Sequence, residues 1–229
     1  MMISVALFGG LLGWLLLRLS DYLLRFAGAD RPTTLPHPAG LAPAAWVWLA
    51  AHWQSAPENR RLGLEVVVEV ASAVFVVWAW SVYGISQQTA LIVGGYGFFL
   101  LIALMDMKYR LVLNVLTYPA IALLLVGHFA LNPRYFPNVV IGGLLAFSIF
   151  YLVARLKPGD VGGGDIKLAA LIGFAFGFPH MLWALILGAG TGAVVALVML
   201  VRQQSDNKAY IPYAPFLCLG ALVALLVTV

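Results

Sequence analysis

Two aspartates stand apart from the other acids of this sequence because each borders a long apolar run. Asp106 closes the run "GYGFFLLIALMD", and Asp165 follows the stretch "GDVGGG" and opens another run. A carboxylate at the edge of lipid is costly unless it is solvated, paired or functional. Two carboxyls held close together share a proton, so that one activates water while the other donates a proton. This pair therefore predicts acid–base hydrolysis of an amide without a metal or a nucleophilic side chain.

A plain structural interpretation of the same acids stays open. Each would be a helix-end acid, solvated or paired with Lys108, Arg110 or Lys167. Asp165 at a helix N-terminus would gain about 0.3–1 kcal/mol from the helix dipole. The consecutive Gly162, Gly163 and Gly164 favour the functional interpretation, because they allow unusual backbone dihedrals and close approach to a ligand, which a capping acid does not require.

The sequence gives little indication of a nucleophilic serine, a nucleophilic cysteine or a metal site. The serines lack a G-x-S-x-G setting, and the four histidines are scattered without metal-ligand spacing. The single cysteine, Cys218, lies in the apolar run "PFLCLGALVALL" and is interpreted as a small packing residue. One cysteine excludes an internal disulfide and a cysteine-based zinc cluster, so no metal site is predicted.

Composition predicts an all-α integral membrane protein. The 229 residues are 63% hydrophobic and 10% charged, whereas a soluble domain has about 25% charged residues. Several apolar stretches reach the roughly 18 residues that a membrane-spanning helix needs. The net charge of +4 would suggest nucleic acid for a soluble protein, but in a membrane protein the placement of the charges matters more, and no nucleic-acid partner is predicted.

The spans predict one transmembrane domain over residues 1–229, a bundle of about eight helices with the N-terminus outside. This topology places twelve of the thirteen Lys and Arg residues on the cytoplasmic side and only Arg134 outside, whereas seven spans would give ten against three. Eight spans are therefore preferred, although the sixth is short and would merge with the seventh in the alternative. The predicted spans are 3–24, 65–84, 88–105, 112–131, 138–156, 166–178, 181–201 and 212–229.

Residues 27–63 form one long polar loop, predicted to be cytoplasmic and rich in Pro, Gly and Ala. Trp46, Trp48 and Trp53 favour an interfacial helix lying on the membrane, since tryptophan prefers the headgroup zone. An ordinary amphipathic connector fits this segment equally well. After the loop, Glu65 and Glu69 open the second span one helical turn apart, and the deeper Glu69 requires a partner such as Arg18 or Arg61.

Several motifs resemble one family in the right order along the chain. "GGGDIK", residues 162–167, fits G-x-G-D-x-K, which is similar to the signature of type IV prepilin peptidases, the GxGD intramembrane aspartic proteases. "DMKYRLVLNVLTYP" resembles the family's first aspartate segment, and "IPYAPFLCLGAL" is similar to its Ile-Pro-[Phe/Tyr]-x-Pro-Phe-Leu-x-Gly stretch. "FGGLLGWLLLRLSDYLLR" and "VVEVASAV" resemble the openings of the first and second spans.

The resemblance implies a membrane-embedded endopeptidase of the prokaryotic cytoplasmic membrane. Its substrate would be the basic leader of a type IV pilin, pseudopilin or similar precursor, cut on the cytoplasmic side after a glycine and before a hydrophobic helix. The implied catalytic pair is Asp106 and Asp165. The implied active-site loop comprises Gly162, Gly163, Gly164 and Lys167, and the implied substrate-binding residues are Asn114, Glu69, Glu65 and Asp160.

The chain also departs from the family pattern. Bacterial members usually carry a cytoplasmic loop with two Cys-x-x-Cys pairs that bind zinc, associated with N-methylation of the new N-terminus, and this chain has no such pair. A short form without cofactors is therefore favoured, either a peptidase only or an enzyme whose methylation depends on remaining span residues or on a separate protein. S-adenosylmethionine would be required only if methylation is retained. Lys167 has two interpretations, a contact with a carboxylate or substrate carbonyl and a lysine snorkelling to the interface.

Three rival functions remain at this point. A transporter or channel would use Asp106 and Asp165 as ion or proton sites, but both acids are predicted at one interface rather than at the midplane. A non-catalytic assembly subunit of a secretion system would not need a complete G-x-G-D-x-K motif. The archaeal preflagellin branch of the same class is the third rival, and the first and last spans argue against it.

Overall fold

A computed structural model describes residues 2–26, 59–157, 161–201 and 213–228, which form helices and no strand. The all-α prediction is therefore confirmed for this part of the chain. In chain order the eight described helices are α1 Met2–Phe26, α2 Asn59–Tyr83, α3 Gln87–Tyr109, α4 Asn114–Leu131, α5 Phe136–Leu156, α6 Gly163–Phe176, α7 His180–Val201 and α8 Ala214–Thr228.

Six of these helices, all except α6 and α8, are long and apolar enough to cross a membrane. The shorter α6 and α8 have 14 and 15 residues. The chain is therefore a polytopic helical membrane protein. The orientation with the N-terminus outside depends on the distribution of Lys and Arg alone and stays a prediction.

The helix ends differ from the predicted span ends by a few residues. α2 begins at Asn59 rather than at 65, so the last five residues of the predicted polar loop are helical. α3 continues to Tyr109, beyond the predicted end at 105. A membrane helix extends past its apolar core into the polar interface, where charged residues do not interrupt it. Residues 27–58, with the predicted interfacial helix, lie outside the described residues.

Residues 166–201 form two helices rather than one, as the eight-span interpretation predicts. α6 ends where Gly177 adopts a φ of +65°, a left-handed conformation that favours glycine. The Gly177 N–H donates to the Gly173 carbonyl over 2.9 Å, which closes the last turn of α6. Pro179 follows, and α7 begins at the next residue, His180.

The chain divides into two compact units, residues 1–104 and 105–229, with the boundary inside α3. The prediction of a single transmembrane peptidase domain is not tested by this division and stays a prediction. In unit 1, α1 packs closely on α2, and a Cβ added at Gly13 would lie 2.9 Å from Ser72 Oγ. Ser72 also shares a buried hydrogen bond of 3.0 Å with the Tyr96 hydroxyl of α3.

In unit 2, α6 is the central helix and contacts α4, α5, α7 and α8. Five consecutive residues, from Leu168 to Ile172, are buried, as expected for a helix that is apolar all round. Close packing on α5 depends on small residues, since a Cβ at Gly142 would lie 2.7 Å from the Gly173 carbonyl oxygen. The first turn of this central helix carries Asp165.

Candidate active site

Asp106 and Asp165 line the same cleft, an open cavity of about 310 Å³ within unit 2. The cleft is formed by the end of α3, the connection to α4, the first turn of α6 and the residue before α8. Its lining comprises Asp106, Arg110, Leu111, Val112, Asn114, Gly162, Gly163, Gly164, Asp165, Lys167 and Tyr213. The structure thus brings together every predicted catalytic and active-site loop residue.

Asp106 lies on the last turn of α3 and is only 7% exposed. Its carboxyl accepts a hydrogen bond from the backbone N–H of Ala214, the first residue of α8, and the Arg110 charge acts favourably on it. Its Oδ2 atom is buried and has no hydrogen-bond partner among the described residues. A buried carboxyl oxygen left in this state is available to a water molecule or to a substrate group.

Asp165 is the third residue of α6 and is 6% exposed. Its Oδ2 accepts a hydrogen bond of 3.2 Å from the Gly162 N–H, and the helix N-terminus favours a negative charge here. The Asp106 carboxylate opposes this charge electrostatically. Two carboxyls that repel each other favour the state in which they share one proton.

The three glycines before Asp165 have different surroundings. None has a positive φ, so the expectation of unusual dihedrals is wrong, and the reason is that Gly163 and Gly164 already form the first turn of α6. A Cβ at Gly164 would lie 3.1 Å from Val112 Cβ, whereas a Cβ at Gly163 would meet nothing within 4 Å. The missing side chain of Gly164 therefore allows close packing against Val112 of the same chain, rather than against a ligand.

Lys167 and Asn114 contact each other in the cleft wall. The Lys167 Nζ donates a hydrogen bond of 2.7 Å to Asn114 Oδ1 and lies 5.4 Å from the centre of the Tyr118 ring. Asn114 begins α4, and Tyr118 follows one turn later on the same face. Neither contact partner of Lys167 is a carboxylate.

The other predicted substrate-binding residues are not among the described residues that line the cleft. Glu65 and Glu69 are on α2 in unit 1, whereas the cleft belongs to unit 2. Glu69 is only 3% exposed, whereas a residue that attracts a basic peptide is expected to be on an accessible surface. Asp160 lies outside the described residues. Substrate binding by these three acids stays a prediction.

Tyr213 is a cleft residue to which the sequence analysis gave no role. Its ring packs 6.4 Å from that of Phe150 on α5, and a Cβ at Gly192 would lie 3.0 Å from its Cε2 atom. Burial and the neighbouring Asp165 charge raise the pKa of Tyr213 above its usual value, so its hydroxyl stays protonated. The available signal was its place in "IPYAPF", at the start of the last helix.

No group of three or more His, Cys, Asp or Glu side chains within the described ranges is arranged to hold a metal ion. The single cysteine of the whole sequence, Cys218, is buried in α8.

The fold and the site define a polytopic helical membrane protein with two buried carboxyls in one cleft. The chain is similar to the type IV leader peptidase family, whose sequence model matches residues 93–197. This matched segment contains both Asp106 and Asp165. The recognition made from the motifs is thereby confirmed.

Curated relatives support the same assignment. A prepilin leader peptidase/N-methyltransferase of Pseudomonas aeruginosa is 30% identical over 170 residues, covering 70% of this chain and 57% of that protein. Proteins of the same name from Stutzerimonas stutzeri and Bacillus subtilis are also 30% identical, over 65% and 38% of this chain and 53% and 35% of their own lengths. The chain thus spans about half the length of the first two. No solved structure matches it.

Proposed function

We propose that the protein is a membrane-embedded aspartic endopeptidase that removes the basic leader from type IV prepilin-like precursors at the cytoplasmic face of the prokaryotic membrane. The observation that carries this proposal is the pair of buried carboxyls, Asp106 and Asp165, lining one cleft. Similarity to the leader peptidase family and the names of the relatives support the choice of substrate class.

The proposed chemistry is acid–base hydrolysis of a peptide bond. The two carboxyls share one proton across the scissile amide, and the ionised one removes a proton from water as the water attacks the carbonyl carbon. The protonated one then donates its proton to the leaving amine, and the C–N bond breaks. The unpaired Oδ2 of Asp106 supports this role, since it has a free position for the water or the amide.

The precursor's hydrophobic helix enters from the membrane, while its basic leader stays on the cytoplasmic side. Glu65, Glu69 and Asp160 are proposed to attract the leader's lysines and arginines. The proposal covers peptide cleavage alone. Methylation of the new N-terminus is a separate activity that the names of the relatives include and that the same experiment measures.

The test incubates the purified protein in lipid vesicles with candidate prepilins from its own genome. Asp106→Asn and Asp165→Asn are each expected to lower the cleavage rate by roughly 10³-fold or more, because neither half of the pair works alone. Asp206→Asn is a matched control, since Asp206 lies in the polar stretch "QQSDNK", far in sequence from both acids of the pair. Mass analysis of the products reports the cleavage site and any added methyl group.

Two results would contradict the proposal. Full parental activity in either single Asn variant would reject the acid pair. Alternatively, the parent protein in vesicles would leave every candidate precursor intact, which would reject the peptidase.

A further inference from the structure

Two contacts in the cleft wall join the segment that follows Asp106 to the segment that carries Asp165. The segment after Asp106 includes Val112 and Asn114, and the segment with Asp165 includes Gly164 and Lys167. Gly164 lies against Val112, with a virtual Cβ 3.1 Å from Val112 Cβ, and Lys167 reaches Asn114 at 2.7 Å. The two contacts lie on either side of Asp165 in the sequence.

Lys167 is engaged by neutral groups. Its ammonium donates to the Asn114 amide oxygen and lies 5.4 Å from the centre of the Tyr118 ring, a cation–π distance. Both partners are on α4, whereas Lys167 is on α6. The side chain therefore connects the start of α6, which carries Asp165, to the start of α4, which follows the segment that carries Asp106.

We propose that Lys167 is a positioning residue, which acts through Asn114 and Tyr118 to hold Asp165 in register with Asp106. This inference rests on the proposed peptidase function. In this proposal Asn114 is the hydrogen-bond partner of Lys167 and does not contact the substrate. A shift of about 1 Å in a catalytic group can lower the rate of the chemical step by roughly a hundredfold while substrate affinity is kept.

The test is a double-mutant cycle on the prepilin cleavage rate. Lys167→Met and Asn114→Leu are each expected to lower kcat by about 10- to 100-fold, with KM changed by less than about twofold. The double variant is expected to be no slower than the slower single variant, because both substitutions break the same contact.

Further variants separate positioning from general damage. Lys167→Arg is expected to retain most of the parental kcat, since a guanidinium also donates to an amide oxygen and stacks on an aromatic ring. Tyr118→Leu is expected to lower kcat by only about two- to fivefold. Lys157→Met is the matched control, because Lys157 is an exposed lysine at the end of α5 and does not line the cleft. Thermal unfolding in detergent checks that each variant is folded.

Three outcomes would overturn the inference. These are parental kcat in a folded Lys167→Met variant, losses that multiply in the double variant, and a raised KM with kcat unchanged, which would indicate a substrate contact. If Lys167→Met fails to fold, the Asn114→Leu and Lys167→Arg arms decide the question. Cleavage by the parent protein, lost in Asp165→Asn, is measured alongside, so that a failure of the peptidase proposal is recognised separately.

Discussion

At the scale of single residues, the G-x-G-D motif provides close packing at Gly164 rather than an unusual backbone conformation. Gly162 has an extended backbone with φ −74°, and the two glycines after it are helical. Asp165 accepts a hydrogen bond from the Gly162 N–H, so this side chain also caps α6, the helix to which it belongs. The helix-end interpretation and the functional interpretation of Asp165 are therefore compatible.

Gly164 and Gly163 provide a matched pair of substitutions. Gly164→Ala is expected to lower kcat by about tenfold, because its Cβ would press on Val112 and displace the first turn of α6. Gly163→Ala is expected to lose less than about threefold, because open space surrounds its Cβ. Prepilin cleavage kinetics measure both. Equal losses in the two variants would contradict the steric explanation.

At the scale of elements, the unexpected feature is the short α6 at the centre of unit 2. The apolar pattern predicts a membrane span at 166–178, whereas the helix covers Gly163–Phe176 and is packed among four others. An apolar stretch of 10–14 residues is typical of a buried core helix, which accounts for the length of α6. The buried residues Leu168–Ile172 anchor α6 directly after its first turn, which fits the proposed catalytic role of Asp165 in that turn.

Cross-linking tests the contact between the start of α6 and the α3–α4 connection. In a Cys218→Ala background, Val112→Cys with Gly164→Cys is expected to form a disulfide on oxidation, because 3.1 Å lies close to the Cβ–Cβ range of roughly 3.5–4.5 Å. Val112→Cys with Gly163→Cys is the control and is expected to stay reduced. The measurement is the protein's mass after alkylation of free thiols. Efficient cross-linking of the control alone would contradict the packing described.

At the scale of the whole molecule, the eight helices and the charge distribution together predict a cytoplasmic cleft. The ends of α3 and α5 and the start of α6 fall on the predicted cytoplasmic side, whereas the α4–α5 turn falls outside. The same orientation predicts that Asp106 and Asp165 face the side on which the leader of the proposed substrate lies.

Labelling of single cysteines tests this orientation. With Cys218 replaced by Ala, Asn132→Cys in the α4–α5 turn is expected to react with a membrane-impermeant maleimide in intact cells. Lys157→Cys, at the other end of α5, is expected to react only after permeabilisation. Both positions are exposed, so a difference in reactivity reports the side of the membrane. The reverse pattern would contradict the orientation and the cytoplasmic site.

The helices and the two acids could be predicted from the sequence because their signals are local. Apolar length marks a membrane helix, and Gly177 with Pro179 separates α6 from α7. Asp106 and Asp165 were identifiable because charged residues beside apolar runs are rare and costly. The helix ends were less accurate, since apolar content marks the membrane edge and the helix continues beyond it.

The residue types and the helical elements were determined by the sequence alone, whereas the tertiary structure decided which side chains meet. Asp106 and Asp165 share a cleft, Lys167 reaches Asn114 and Tyr213 lies beside Asp165 because α6 packs in the middle of unit 2. That packing depends on close contacts such as Gly142 with Gly173, which join helices distant in the chain. A local sequence pattern predicts whether a segment forms a helix, but it does not give the distance from that helix to another. These contacts therefore follow only from the fold.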